Sequence, residues 1–189
     1  MESPIALLTG ADNRLQQLVD RLPEDLSAPT PCAGWDVRAL LSHTLQTVEA
    51  FSDAVDRAGG PTEAELFSGA DILGNDSAGV TKRIVERSHQ AWSTIRDWDA
   101  SLTTVLGQLP AGQAIAIVTF STLVHSWDLA WALRERVEFT AAEATLAEAV
   151  GGQLVPAMRS KGLFGPECHP PAQASATQRV VAFTGRAAV

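Results

Sequence analysis

The stretch from Gln113 to Leu133, QAIAIVTFSTLVHSWDLAWAL, decides the fold. At 100° per residue, apolar side chains cover most of the circumference of a helix formed by these residues. A helix that is apolar on nearly every side is buried among other elements. The stretch therefore predicts a central helix, placed at residues 113–134, inside a bundle of helices.

Four other segments show the three- and four-residue apolar spacing of amphipathic helices. The predicted helices cover residues 4–22, 37–58, 77–96 and 141–160. Residues 61–76 are expected to form a loop and residues 97–112 a turn. Pro156 is expected to kink or stop its helix, and a short apolar segment follows at 179–183. These patterns predict an all-α four-helix bundle with an extra C-terminal helical segment, formed as a single domain by residues 1–189.

The composition of the 189 residues excludes several classes of protein. A chain with 46% hydrophobic and 19% charged residues is not disordered. The net charge of −8 argues against nucleic acid or an anionic membrane as a partner, because both select basic patches. The two cysteines, Cys32 and Cys168, are too few for a disulfide scaffold. Since neither a signal peptide nor a run of about 18 apolar residues is visible, a soluble cytoplasmic protein is expected.

Three polar residues interrupt the apolar stripe of the central helix: Ser121, His125 and Asp128. A buried polar group costs free energy unless it finds a partner. One interpretation is a core histidine with satisfied hydrogen bonds and a serine bonded to its own backbone. The other is a polar pocket inside the bundle that binds a small molecule.

The other histidines differ in their positions along the predicted helices. His43 lies at the edge of its helix's apolar stripe, where it can face a neighbouring helix or the solvent. His89 and His169 are interpreted as surface residues. His43 and His125 together could supply half of a zinc-type site, although no HxxxH, HExxH or CxxC motif is present.

Three motifs give the chain a family resemblance. The stretch TPCAGWDVRALLSH at 30–43 resembles the signature TPCxGWxVRDLxxH of actinobacterial DinB-like proteins, which are related to the N-terminal domain of mycothiol-dependent maleylpyruvate isomerase. LVHSWDLA at 123–130 resembles LVHxWDLA of the same group. FGP at 164–166 and RVVAFTGR at 179–186 resemble the group's FGP…RLLAFLGR ending.

The resemblance implies a DinB/YfiT-like four-helix bundle with a divalent metal, such as zinc or nickel, inside it. The family's metal ligands correspond to His43, His125 and the position four residues before His125. Here that position is Ser121, where the family has an acidic residue or a histidine. A serine hydroxyl is a poor zinc ligand, so we expect weak or substoichiometric metal. The resemblance also suggests mycothiol as a thiol cofactor and a homodimer as the assembly.

These residues lead to three functional hypotheses. The first is a metal- and thiol-dependent transferase or isomerase, and the second is a metal-free pocket protein that acts on or binds a small metabolite. The third is a non-catalytic, self-associating bundle. His43, His125 and Asp128 are the candidate catalytic residues, with Asp128 either orienting His125 or capping a buried backbone group. Ser121 and Trp127 are candidate substrate contacts.

Two residues of the motifs have a structural alternative. Burial is the usual reason for a large aromatic side chain in a bundle, and it is the preferred interpretation of Trp127. Cys32 precedes a helix N-terminus, where a thiolate is favoured, but packing in a proline-rich turn is the preferred interpretation.

Overall fold

The computed structural model describes residues 2–58 and 60–187 and confirms the mostly helical fold. The predicted long helices are all present, with ends within three residues of those expected. The elements, in chain order, are α1 (Pro4–Val19), α2 (Val37–Asp56), α3 (Glu63–Leu66), α4 (Ser77–Ser93), β1 (Ser101–Thr104), β2 (Gly107–Pro110), α5 (Ala111–Ala132), α6 (Ala141–Ser160) and α7 (Ala176–Phe183).

Helix α5 lies at the centre of the bundle. It packs against α1, α2 and α6, while α4 packs against α1 and α2. By length and composition α5 could cross a membrane, but 72% of its most apolar window is buried inside the protein. This burial is what the all-round apolar pattern predicts for a core helix.

Side-chain caps fix where the helices begin. Asp36 accepts a hydrogen bond from the backbone N–H of Ala39 at 2.9 Å and starts α2. Thr140 and Glu143 form a reciprocal capping box at the start of α6. Asp36 therefore fixes the N-terminal end of the helix that carries His43.

Two segments differ from the sequence-based expectation, and the structure defines a third that was predicted only as a short apolar segment. The expected loop at 61–76 contains α3, a single turn that a Thr62–Glu65 capping box stabilises. The expected turn at 97–112 contains an antiparallel hairpin in which β1 pairs with β2. The apolar segment at 179–183 forms most of α7.

Pro156 does not stop α6, which continues to Ser160. A proline inside a helix leaves the carbonyl four residues earlier without its usual donor. Here that carbonyl belongs to Gly152, and both residues are exposed, so water can satisfy the oxygen.

Two glycines bring the end of the described chain back onto the bundle. Gly185 has a φ of +88°, and a β-carbon there would lie 2.9 Å from the carbonyl oxygen of Gly165. Only glycine permits both this conformation and this approach. The contact joins the two parts of the FGP…GR pattern and places Arg186 beside α5.

Candidate functional site

His43 is held by contacts on several sides. It lies on α2, and its side chain is buried. Its Nδ1 is 2.5 Å from the carbonyl oxygen of Leu66 at the end of α3. Because a carbonyl can only accept, Nδ1 carries the hydrogen and Nε2 keeps its lone pair. The imidazole also packs between the rings of Trp35 and Phe67, at centroid distances of 4.6 and 5.3 Å.

His125 on α5 approaches His43 as the sequence-based prediction required. Their ring centroids are 5.2 Å apart and the ring planes are nearly perpendicular, at 87°. His125 Nδ1 lies 3.0 Å from Asp128 Oδ2, one helical turn onward. This hydrogen bond leaves Nε2 of His125 as an acceptor, like that of His43. Ser121 lies one turn before His125 and lines a cavity together with both histidines.

Asp128 connects the histidine pair to the end of the chain. Its carboxylate is fully buried and is held by Arg186, whose Nε and Nη2 donate to Oδ1 and Oδ2 at 3.1 and 2.8 Å. The Cys32 thiol donates to Oδ2 at 3.3 Å and accepts from Arg186 Nη2 at 3.0 Å. Arg186 Nη1 donates to the carbonyl oxygen of Thr184 at 2.9 Å. The buried carboxylate is therefore paired on every side, as its burial requires.

Burial and charge shift the pKa values of this group. Burial alone would raise the pKa of Asp128, but the charge of Arg186 and the hydrogen bonds from His125 and Arg186 hold it below its ordinary value. Burial and the neighbouring Asp128 carboxylate raise the pKa of the Cys32 thiol to about 12. Burial and the nearby His125 lower the pKa of His43 to about 3. At neutral pH, Asp128 is ionised, Cys32 is a thiol and His43 is uncharged.

Two cavities meet at the histidine pair. The smaller one has a volume of about 100 Å³ and is lined mainly by apolar side chains of α2, α5, α6 and the hairpin turn. The larger one has a volume of about 530 Å³ and lies towards the 31–35 turn, the 162–166 loop and Arg186. His43 and His125 line both cavities. The pair therefore separates two spaces of different size and polarity.

Comparison with known proteins places the chain in a family. A family model described as the mycothiol maleylpyruvate isomerase N-terminal domain matches residues 8–130. The chain belongs to this family. The matched range contains the histidine pair, Ser121 and Asp128 but ends before Arg186.

Other proteins are similar to this member of the maleylpyruvate isomerase N-terminal domain family over most of its length. Uncharacterized proteins from two strains of Mycobacterium tuberculosis are 26% identical over 166 residues, which cover 86% of this chain and 86% of theirs. Two crystal structures of mycothiol-dependent maleylpyruvate isomerase, one of a histidine-to-alanine mutant, have TM-scores of 0.66 and 0.68. Their identities are 14% and 13%, and each comparison covers 86% of this chain and 72% of that one. At sequence identities this low, the similarity shows that the structures share a fold and nothing more.

Within the part of the chain that the structure describes, the donors at the histidine pair do not form the three-ligand set that a zinc site needs. His43 and His125 offer two imidazole nitrogens, each supported at Nδ1 as in metal-binding histidines. The third position is the neutral hydroxyl of Ser121, a poor ligand. Cys32, His125 and Asp128 form another cluster, with ligand atoms within 4.8 Å of one another. Arg186 bonds to both Cys32 and Asp128, so its positive charge disfavours a cation there.

The remaining candidate residues lie outside the histidine pair. Trp127 is two residues from His125 on α5, a rotation of about 200°, and lines a separate cleft with Trp131. The structure therefore places Trp127 away from the cavities at the pair. His89 is not a free surface residue, because its Nε2 lies 3.0 Å from the buried carboxylate of Asp12. His169 is exposed, as expected.

Sequence reasoning missed Arg186 as a site residue and preferred packing over a reactive thiolate as the role of Cys32. Their signals were present in the TPC and GR patterns at 30–32 and 185–186, but neither pattern shows that the two residues meet at Asp128. The stacking of Phe67 on His43 was missed because 61–76 was taken as a loop.

Proposed function

We propose that this protein is a thiol-dependent transferase or isomerase that works without a bound metal. The observation that carries the proposal is the histidine pair at the meeting point of two cavities, with Nδ1 of each ring already bonded. Nε2 of each ring is then the nitrogen left for a reacting molecule. Mycothiol is the proposed thiol, because it is the thiol in the name of the family.

His125 is the proposed general base. Its Nε2 accepts the proton of the bound thiol, and the positive charge that forms on the ring is stabilised by the Asp128 carboxylate at Nδ1. Arg186 keeps Asp128 ionised and in place. This arrangement generates a thiolate without a metal ion, which is the task that a metal would otherwise perform.

The thiolate then adds to an electrophilic carbon of the substrate. The sulfur–carbon bond forms while the π electrons of a conjugated C=C bond move towards the carbonyl oxygen. In transfer, the protonated His125 returns its proton to the adjacent carbon. In isomerisation, the former double bond rotates, the electron pair returns from the oxygen to re-form the double bond, and the sulfur leaves as a thiolate that takes its proton back from His125. Neither route needs an oxidant or a reductant.

His43 and Ser121 have supporting roles in this proposal. His43 stays uncharged at neutral pH, since burial and the nearby His125 lower its pKa to about 3. Its Nε2 is thus an acceptor that orients the thiol rather than a source of protons. The Ser121 hydroxyl, on the wall of the small cavity, donates a hydrogen bond to the oxygen on which charge develops.

The proposal is tested by following mycothiol and pent-3-en-2-one, a small conjugated ketone, in the presence of the protein. Enone absorbance and the mass of the thiol adduct report the reaction. We expect adduct formation above the uncatalysed rate, and a loss of about 10² to 10⁴ in the enzymatic rate in His125→Ala. His169→Ala, which changes an exposed histidine, is the matched control and retains the full rate. Equal rates with His125→Ala and wild-type protein would contradict the proposal.

A further inference from the structure

The small cavity at the histidine pair has the chemistry of a site for an uncharged apolar group. Phe51, Ile117, Phe120 and Val124 are among the side chains that form its wall. Among the residues that the structure describes, no lysine or arginine lines it. Of the described residues that line this wall, the one with a charged side chain is Glu63, whose carboxylate is about half exposed and lies 3.9 Å from the ammonium nitrogen of the exposed Lys161.

Arg186 does not supply the missing positive charge. It lines the larger cavity rather than the small one. Its Nε and Nη2 already donate to Asp128 and its Nη1 to the carbonyl oxygen of Thr184. A substrate carboxylate would have to displace the buried carboxylate of Asp128 in order to pair with this guanidinium. The Arg186 guanidinium is therefore already paired within the protein and is not available to a substrate carboxylate.

An anion in the small cavity would therefore lose its hydration and gain the Ser121 hydroxyl as a donor, but no counter-charge. An ionised carboxylate moved into apolar surroundings needs a counter-charge or several donors. The Glu63 carboxylate at the wall supplies no counter-charge, and the nearby Lys161 already pairs with it. Maleylpyruvate, the substrate in the name of the related isomerase, carries two carboxylate groups and does not fit these surroundings.

We infer that the small cavity selects a neutral, apolar electrophile of at most about six non-hydrogen atoms and rejects carboxylates. The upper limit follows from the volume of about 100 Å³, since an apolar protein cavity of about 150 Å³ accommodates benzene, which has six such atoms. The reacting carbon would lie at the His43–His125 end and the apolar part against α5 and α6. This inference rests on the proposed function for its reaction, but binding can be measured without any reaction.

The test compares two unreactive molecules of equal size and different charge. Pentan-2-one and butanoate each have six non-hydrogen atoms, neither has the conjugated C=C bond of the proposed reaction, and no thiol is present in the titration. Their binding is followed by titration of the full chain, with the imidazole NMR signals of His43 and His125 as reporters. We expect pentan-2-one to bind at least about tenfold more tightly than butanoate. Butanoate binding as tightly as the ketone, or neither molecule shifting the reporter signals, would overturn the inference.

A charge placed in the wall should reverse the preference. Met158 is a half-buried residue of α6 at the small cavity. We expect Met158→Lys to raise butanoate affinity about tenfold and Met158→Leu to leave the wild-type preference unchanged. Circular dichroism confirms that both variants are folded. Since no chemical step is involved, these results stand whether or not mycothiol-dependent turnover is found. A Met158→Lys variant that folds but keeps the wild-type preference would count against the assigned cavity.

Discussion

Arg186 binds Asp128 across 58 positions of sequence, with Nε to Oδ1 at 3.1 Å and Nη2 to Oδ2 at 2.8 Å. The same carboxylate accepts the hydrogen bond of His125, so the orientation of the proposed base depends on a residue far from it in sequence. Both members of the ion pair are buried. Removing one member of a buried pair leaves an uncompensated charge, which costs more than the pair contributes.

Arg186→Gln is therefore expected to lower the free energy of unfolding by about 3–5 kcal/mol at pH 7. Urea denaturation followed by circular dichroism measures this change. The double variant Arg186→Gln/Asp128→Asn removes both charges and should recover a large part of the loss, because no buried charge is left alone. Equal destabilisation of the single and double variants would show that the ion pair is not what Arg186 contributes.

Stability should fall on mild acidification because of His43. Its pKa is 6.5 in an unfolded chain and about 3 in the fold, where burial and the nearby His125 keep the ring neutral. Between these values the unfolded state binds more protons, so lowering the pH favours unfolding. From pH 7 to pH 5, wild-type protein should lose about 2 kcal/mol more than His43→Gln does. The two pH profiles, measured by urea denaturation, would run parallel if His43 were protonated in the fold.

Cys32 should react slowly with iodoacetamide although it lines the larger cavity. Burial and the Asp128 charge raise the pKa of its thiol to about 12, so only about 10⁻⁴ of it is thiolate at pH 8. A Cys168→Ser background isolates Cys32, and mass spectrometry of the intact protein follows its alkylation. Adding Asp128→Asn removes the negative charge beside the sulfur and should speed the reaction. Rapid alkylation in the background protein alone would contradict the assigned state of the thiol.

The Asp12–His89 contact should contribute to stability, although His89 looks like a surface residue in the sequence. Asp12 is fully buried on α1, and burial raises the pKa of its carboxyl despite the hydrogen bond and charge of His89. His89→Ala leaves the carboxylate without this partner and should cost about 3 kcal/mol at pH 7. The cost should shrink as the pH falls and Asp12 becomes protonated. Asp12→Asn in the same chain should restore stability. An unchanged cost in that double variant would exclude the carboxylate as the cause.

The bundle and the histidine pair could be predicted from sequence for physical reasons. Apolar periodicity over about 20 residues identifies each amphipathic helix. The family motifs then place His43 and His125 in the interior of the bundle. Helix α3 has four residues, too few to show a period, so the contacts of Leu66 and Phe67 with His43 could not be foreseen. The four-residue strands of the hairpin are equally short.

The neighbours of Asp128 could not be predicted because they depend on long-range packing. Arg186 reaches Asp128 only because the end of α7 returns to α5 through the contact of Gly185 with Gly165. Cys32 and Arg186 are 154 positions apart and share no local pattern. The buried ion pair was for this reason absent from the sequence-based site.

We expect the wild-type protein to bind metal weakly because residue 121 is a serine. Ser121→His would place two imidazoles four residues apart on one face of α5 and complete a three-ligand set with His43. We expect this variant to bind about one zinc ion per chain, and wild-type protein and the Ser121→Ala control to bind zinc weakly. Elemental analysis after dialysis against zinc distinguishes them. Tight zinc binding by Ser121→Ala would show that His43 and His125 suffice.

In the proposed reaction, His125 and Asp128 activate a thiol without a metal ion. The most direct test is the rate of mycothiol addition to pent-3-en-2-one by untagged protein that has been treated with a chelator and shown by elemental analysis to be free of metal. We expect this protein to keep the rate of the untreated protein, and we expect added zinc or nickel not to raise it. A rate that falls to the uncatalysed level after chelation and returns when one equivalent of metal is added would show that the thiol is activated by a metal.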